Sequence, residues 1–160
     1  MLACGFFWRH PQVETVVLRP VHVVGPTIKN APSNYLRNKR PWRLSGFDPM
    51  VQILHVEDCA RAMVAALKPG LKGVYNVVGP GEVPLSAIFG ELGSSPRSVP
   101  SPIARPLLST LFRYRLASFP PEELDHIQFL CAVDGSRWVN DVGWKPGHSM
   151  RETIRSVLGE

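Results

Sequence analysis

Val16-Val17-Leu18-Arg19-Pro20-Val21-His22-Val23-Val24-Gly25-Pro26 is a run of β-branched residues cut twice by proline. It is entered by a strand over residues 14–18, whose near-continuous apolar run Thr15-Val16-Val17-Leu18 is the pattern of a strand buried on both faces of a parallel sheet. Arg19-Pro20 stops that strand, and residues 21–26 read as a loop with Gly25-Pro26 as its turn signal. Upstream, residues 1–8 combine helix formers with apolar residues, and Pro11 closes the segment.

Downstream, Ser33 or Asn34 is placed to cap a short helix that runs to Arg40 and stops at Pro41. Residues 51–55 form a second apolar strand. Glu57 and Asp58 then open a helix in which acidic side chains meet the positive end of the dipole. Its apolar positions Ala60, Met63, Val64 and Leu67 follow helical spacing, and Pro69-Gly70 ends it. Residues 73–78 read as a third buried strand, 84–92 as a helix with proline in its first turn, and 93–102 as a loop. Four further helices are expected over 103–116, 121–130, 136–142 and 149–158. Strands separated by helices imply an α/β fold with a parallel sheet and right-handed crossovers. Three short strands make a poor sheet, and their apolar faces call for neighbours that these residues do not supply.

At 160 residues the chain is long enough for one domain with a core, and 44% hydrophobic with 19% charged residues is the balance of a folded globular protein. A net charge of +5 owes much to Arg37, Lys39, Arg40 and Arg43. Nucleic-acid binding needs such a patch interleaved with stacking aromatics, and only Tyr35 and Trp42 are nearby, so no nucleic-acid partner is expected. Three cysteines, far apart and odd in number, argue against a disulfide framework and fit a reducing, cytoplasmic setting. The longest apolar runs are too short to span a bilayer, so no membrane partner is expected, and the N-terminal segment lacks the features of a signal peptide. No His/Cys/Asp/Glu group has zinc spacing and no Ser-His-Asp arrangement is in a recognisable setting, so neither a metal nor a hydrolytic site is expected.

Four stretches together resemble the extended, or atypical, short-chain dehydrogenases/reductases of the NAD-dependent epimerase/dehydratase type. They are the 16–26 run; Leu54-His55-Val56-Glu57-Asp58-Cys59-Ala60-Arg61-Ala62; Gly73-Val74-Tyr75-Asn76-Val77 with Gly79; and Val142-Gly143-Trp144-Lys145-Pro146. They occur in the family's order and cover nearly the whole chain. The resemblance implies a partial Rossmann-like parallel sheet of three strands with a mostly helical C-terminal substrate-binding region. Residues 1–80 would be the C-terminal portion of the NAD(P)-binding domain with an inserted substrate segment, and 81–160 the helical substrate-binding region. NAD or NADP would be the cofactor and a small molecule the substrate.

The family's Gly-rich phosphate loop and catalytic Tyr-x-x-x-Lys pair have no counterpart in position here. The string from Tyr35 to Lys39 follows the Arg-Pro strand, where the family's pair precedes it. The chain is therefore expected to be the C-terminal part of such an enzyme, inactive alone and not a tight binder of dinucleotide. It would work with a missing N-terminal half or as a homo-oligomer. The alternative is a non-enzymatic binding or scaffold module derived from the same fold.

By residue matching, Pro20 and Val21 would contact the nicotinamide, while His22, Trp42 and His55 would face the substrate; no catalytic residue is assigned. His22 can donate or accept one hydrogen bond and titrate near neutrality. His55 and Asp58 also have a structural reading, as an interior histidine and as a helix cap or partner of Arg61. In the family's sugar-nucleotide epimerases an arginine about four residues before the histidine grips the diphosphate. Here Val51 and Gln52 occupy that place, which points to an uncharged, even apolar substrate or to an atypical member.

Overall fold

The computed structural model describes residues 2–100, 102, 106, 110 and 132–159. The helices expected over 103–116 and 121–130 lie outside that set, apart from isolated helical positions. Elsewhere the chain is a mixed α/β structure of short helices and short, mostly parallel strand pairs, a partial Rossmann-like fold.

Helix α1 (Leu2–Arg9) leads into β1 (Val16–Pro20), which pairs in parallel with β6 (Gly73–Val77), Val16 opposite Gly73 and Pro20 opposite Val77. The two strands expected from their apolar runs thus meet side by side. Pro20 closes β1, where its missing N–H interrupts nothing further along the strand.

The expected single sheet of three strands is instead four two-stranded ladders among the described residues. The middle strand is split by Gln52 into β4 (Met50–Val51) and β5 (Ile53–His55). β5 pairs in parallel with β2 (His22–Val24), the segment read from its flanking prolines as loop. Val21 is the point of exchange. Its N–H donates to the Val77 carbonyl at 3.0 Å, as the last bond toward β6 before the chain turns to β5. A second segment read as loop contains β8 (Arg97–Val99), which pairs in parallel with β3 (Trp42–Leu44). β4 and β7 (Val83–Pro84) form an antiparallel bridge.

Helix α2 (Ala31–Arg37) starts earlier than expected because Asn30, not Ser33 or Asn34, caps it. Its side-chain oxygen accepts from Ser33 N–H at 2.8 Å, and its amide donates to the Val23 carbonyl at 2.8 Å, tying the helix to β2. Helix α3 (Val56–Ala65) is turned opposite to its apolar pattern. Asp58, Cys59 and Ala62 are buried, whereas Met63, Val64 and Leu67 are exposed. The bonds made by Asp58, described below, fix that rotation. Helices α4 (Leu85–Glu91), α5 (Ser136–Val142) and α6 (Met150–Arg155) follow, and α6 runs on as a 3-10 turn over Ser156–Leu158. α5 ends at Gly143 with φ 75°, a left-handed cap that glycine adopts without a Cβ clash. No described helix is long and apolar enough to cross a membrane.

Two clusters form the core, and each draws side chains from both sides of residue 80. One gathers Leu54, Cys59, Ala62, Leu71, Tyr75, Val77 and Trp138, so that α5 packs its indole on β6. The other gathers Val24, Leu36, Ile53, Leu85, Ile88, Phe89, Leu92, Ile154 and Val157. Each large apolar side chain buried there contributes about 1.5–3 kcal/mol against exposure. Arg37 closes the second cluster by donating to the carbonyls of Gly25, Ile28 and Val157 at 2.7, 2.6 and 2.9 Å.

Candidate functional site

In open α/β sheets, ligands are held beyond the carboxyl ends of parallel strands, where loops diverge. Here β1 and β6 end together at Pro20 and Val77. Pro20 is exposed; Val21 and His22 are half-buried. After β6 the chain passes so close to β5 that a Cβ on Gly79 would collide with the Ile53 carbonyl oxygen. Glycine is thus required at that approach. Gln52, buried at the β4–β5 junction, accepts from Val133 N–H at 2.9 Å and donates to its carbonyl at 3.1 Å, and it also donates to Glu82 at 3.3 Å. Asn76 donates to the Asp134 carbonyl at 3.0 Å. These bonds draw residues 133–134 to β6 and to the junction before β5.

Strand pairing sets His22 opposite Ile53 and Val24 opposite His55, so the two histidines lie two ladder positions apart on neighbouring strands. His55 is buried. Its Nδ1 accepts from Glu57 N–H at 3.3 Å, which makes it the N-cap of α3. Its ring stacks on His148, 3.8 Å between centroids and 27° between planes. Burial lowers the His55 pKa, and the neighbouring His148 pushes the same way against Glu57, Asp58 and Glu152.

Beneath the two rings is Asp58, with 0% of its side chain exposed. It accepts from the backbone N–H of Gly147 at 3.1 Å and of His148 at 3.1 Å, faces His148 Nδ1 at 3.1 Å, and pairs with Arg61 at 2.8 Å. Burial by itself would raise this carboxyl, but the bonds from His148 and Gly147 outweigh it and hold the group below its usual range. With Asp58 accepting, His148 presents Nε2 toward Glu57, 3.5 Å away.

Trp42 is apart from this region in the strand pairing. It is exposed on the β3–β8 ladder with the Arg97 guanidinium 5.4 Å from its ring centroid. Tyr35, in the misplaced Tyr-x-x-x-Lys string, donates its hydroxyl to the Trp42 carbonyl at 2.7 Å and stands edge-on to Phe89. Burial raises its pKa, with Arg43 opposing, so it is tied up as a donor and unsuited to act as a base at neutral pH.

The structure thus brings Pro20, Val21 and His22 to one strand end, with His55 on the adjacent strand and Trp42 on another ladder. Sequence reasoning overlooked His148 and the bracing role of Gln52. His148 follows the Gly-Trp-Lys-Pro stretch, but its partners are about ninety residues away in the chain, and no local pattern announces them.

No protein-family model matches the sequence. An uncharacterised protein of Mycobacterium tuberculosis and one of Mycobacterium bovis are each 25% identical over 138 residues, covering 86% of this chain and 37% of theirs. Among solved structures, the UDP-glucuronic acid 4-epimerase of Bacillus cereus in complex with UDP-glucuronic acid and NAD has a TM-score of 0.67 at 16% identity, over 97% of this chain and 47% of that one. RMD from Pseudomonas aeruginosa, complexed with NADPH, has a TM-score of 0.63 at 18% identity, over 98% and 50%. The dTDP-glucose 4,6-dehydratase of Bacillus anthracis, in complex with NAD, has 0.63 at 19%, over 98% and 47%. The chain spans about half the length of these solved chains. It carries a partial Rossmann-like α/β fold, shared with these solved structures.

Proposed function

We propose that this chain acts as the C-terminal part of an NAD(P)-dependent epimerase, dehydratase or reductase, supplying the nicotinamide-side loop and the substrate pocket. The observation that carries this reading is the shared carboxyl end of β1 and β6. There Pro20-Val21-His22 and the close-packed Gly79 border one edge. In this reading Pro20 and Val21 flank the nicotinamide of NAD or NADP, and His22 offers the substrate one hydrogen bond. Residues 1–80 serve the cofactor and, through an inserted segment, part of the substrate pocket, while 81–160 form the main substrate-binding region, with Gln52 and Asn76 bracing the join at 133–134. When bound, the cofactor supplies the hydride chemistry, while these residues orient and shield it. His55 and Trp42 belong to the substrate side more distantly: His55 through the α3 start that backs β2, Trp42 through the exposed face of β3.

The pyrophosphate needs a Gly-rich loop at a helix N-terminus, and the proton transfer needs a Tyr-x-x-x-Lys pair; neither is among these residues in position. The 160-residue chain should therefore leave the fluorescence of NADH and NADPH unchanged at micromolar concentrations, in a sample whose circular dichroism shows it folded. A longer polypeptide carrying both missing elements upstream should bind one of the two dinucleotides at micromolar strength. Micromolar binding by the short chain would overturn the division of labour. Absence of binding by the longer one would overturn the cofactor assignment.

A further inference from the structure

We propose that His55, Glu57 and His148 form a binding site for a borderline divalent cation of the zinc, nickel or cobalt class, at the N-terminus of α3. One ligand atom from each lies within 4.8 Å of the others. Two imidazoles and one carboxylate match the donor preference of these ions, whose bonds to nitrogen and oxygen are about 2.0–2.2 Å. Closing on an ion asks for a contraction of about an ångström, within reach of Glu57, whose side chain is 71% exposed.

The supporting shell is already built. Metal-bound histidines commonly give their second ring nitrogen to a carboxylate, which fixes the tautomer and turns the other nitrogen toward the ion. Asp58 does this for His148. It is fully buried, is held by two backbone N–H groups and Arg61, and faces Nδ1 at 3.1 Å. With the proton on Nδ1, the lone pair of His148 Nε2 looks at the Glu57 carboxylate across 3.5 Å. In that tautomer two acceptors face each other, and a cation between them, metal ion or proton, relieves the contact. Glu57, Asp58 and Glu152 against Arg61 make the local balance negative, which offsets the positive end of the α3 dipole.

Binding has a structural signature at His55. Its Nδ1 now accepts from Glu57 N–H at 3.3 Å. If Nδ1 takes the ion, that lone pair is used; if Nε2 takes it, Nδ1 must carry the proton. Either way the Glu57 N–H loses its cap, so its amide resonance moves and exchanges faster.

The test is calorimetric titration of the full 160-residue chain, stripped with chelator, with Zn²⁺, Ni²⁺ and Co²⁺, alongside amide spectra. One equivalent of ion should bind and displace the Glu57 amide signal. Glu57→Gln, an exposed change that leaves the fold intact, should weaken binding at least about ten-fold, and His148→Gln should weaken it further. Asp58→Asn, where it folds, should weaken it on the order of 10–100-fold without removing a ligand. Stoichiometric binding that survives both Glu57→Gln and His148→Gln would place the ion elsewhere and overturn the proposal. So would the absence of one-to-one binding by the folded chain. Neither outcome depends on whether the chain serves a nicotinamide cofactor.

Discussion

His22 and His55 stand on adjacent paired strands, yet the fold uses them in opposite ways. The β1–β2 connection around His22 is half-buried and borders the edge where parallel strands end. The α3 start around His55 is closed: an imidazole serves as helix cap, a second imidazole stacks on it, and a buried carboxylate beneath takes bonds from a segment ninety residues away. Both histidines belong to signature stretches of the same resemblance. A histidine within such a stretch can thus serve the architecture itself, and the local backbone decides where it does. A histidine that ends its strand immediately before a helix can accept from N–H groups of the first turn; His22 opens its strand and has no helix next to it in the chain.

The largest expected effect falls on Asp58. Asp58→Ala leaves the part-buried N–H groups of Gly147 and His148 and the half-exposed Arg61 guanidinium without this acceptor, and removing one partner of a bonded network costs more than the net worth of its bonds. A loss of about 2–4 kcal/mol, read from urea denaturation in metal-free buffer, is expected. A loss below about 1 kcal/mol would mean that the closed region is not closed. Next comes the direct contrast. His55→Ala should cost about 2 kcal/mol, the sum of a lost cap and a lost ring stack, and more than His22→Ala, whose ring is only half-buried. The same urea curves check this, and a reversal of the order would dissolve the comparison.

What could be read in advance follows the same line between local and distant causes. β1, β6, α5 and the run from Ser149 to Leu158 announce themselves through short-range patterns: unbroken apolar runs, a glycine after the last turn, a serine three residues before a glutamate. β2 and β8 do not, because what makes them strands is a partner, β5 or β3, some thirty or fifty residues away. Proline and glycine at their borders argued for loops and were answered by pairing. The face of α3 was misjudged for a related reason. Ala60, Met63, Val64 and Leu67 form the more apolar stripe, but a single buried Asp58 with three long-range donors turned the helix the other way. At the candidate site, Pro20, Val21 and His22 were legible as a strand end, whereas His148 and the Gln52 brace appear only once the chain is folded.

The smallest effect concerns the helix that follows His148. Ser149 caps α6 by accepting from Glu152 N–H at 3.3 Å, and Glu152 answers by accepting from Ser149 N–H and Oγ–H, each at 2.7 Å. Those bonds hold the Glu152 carboxyl below its usual range. A carboxylate lowered in the folded state contributes stability above its unfolded pKa, and that contribution is lost as the pH falls through the folded value. Ser149→Ala removes these bonds and should lower the melting temperature at neutral pH. The gap between wild type and variant should narrow once the pH drops below about 4. Melting curves across that range separate the two halves of the capping box. A gap that narrows in acid means that the bonds to the Glu152 carboxylate carry the cap. A gap that persists in acid means that the bond from Glu152 N–H to Ser149 Oγ carries it, since that bond survives protonation of the carboxyl.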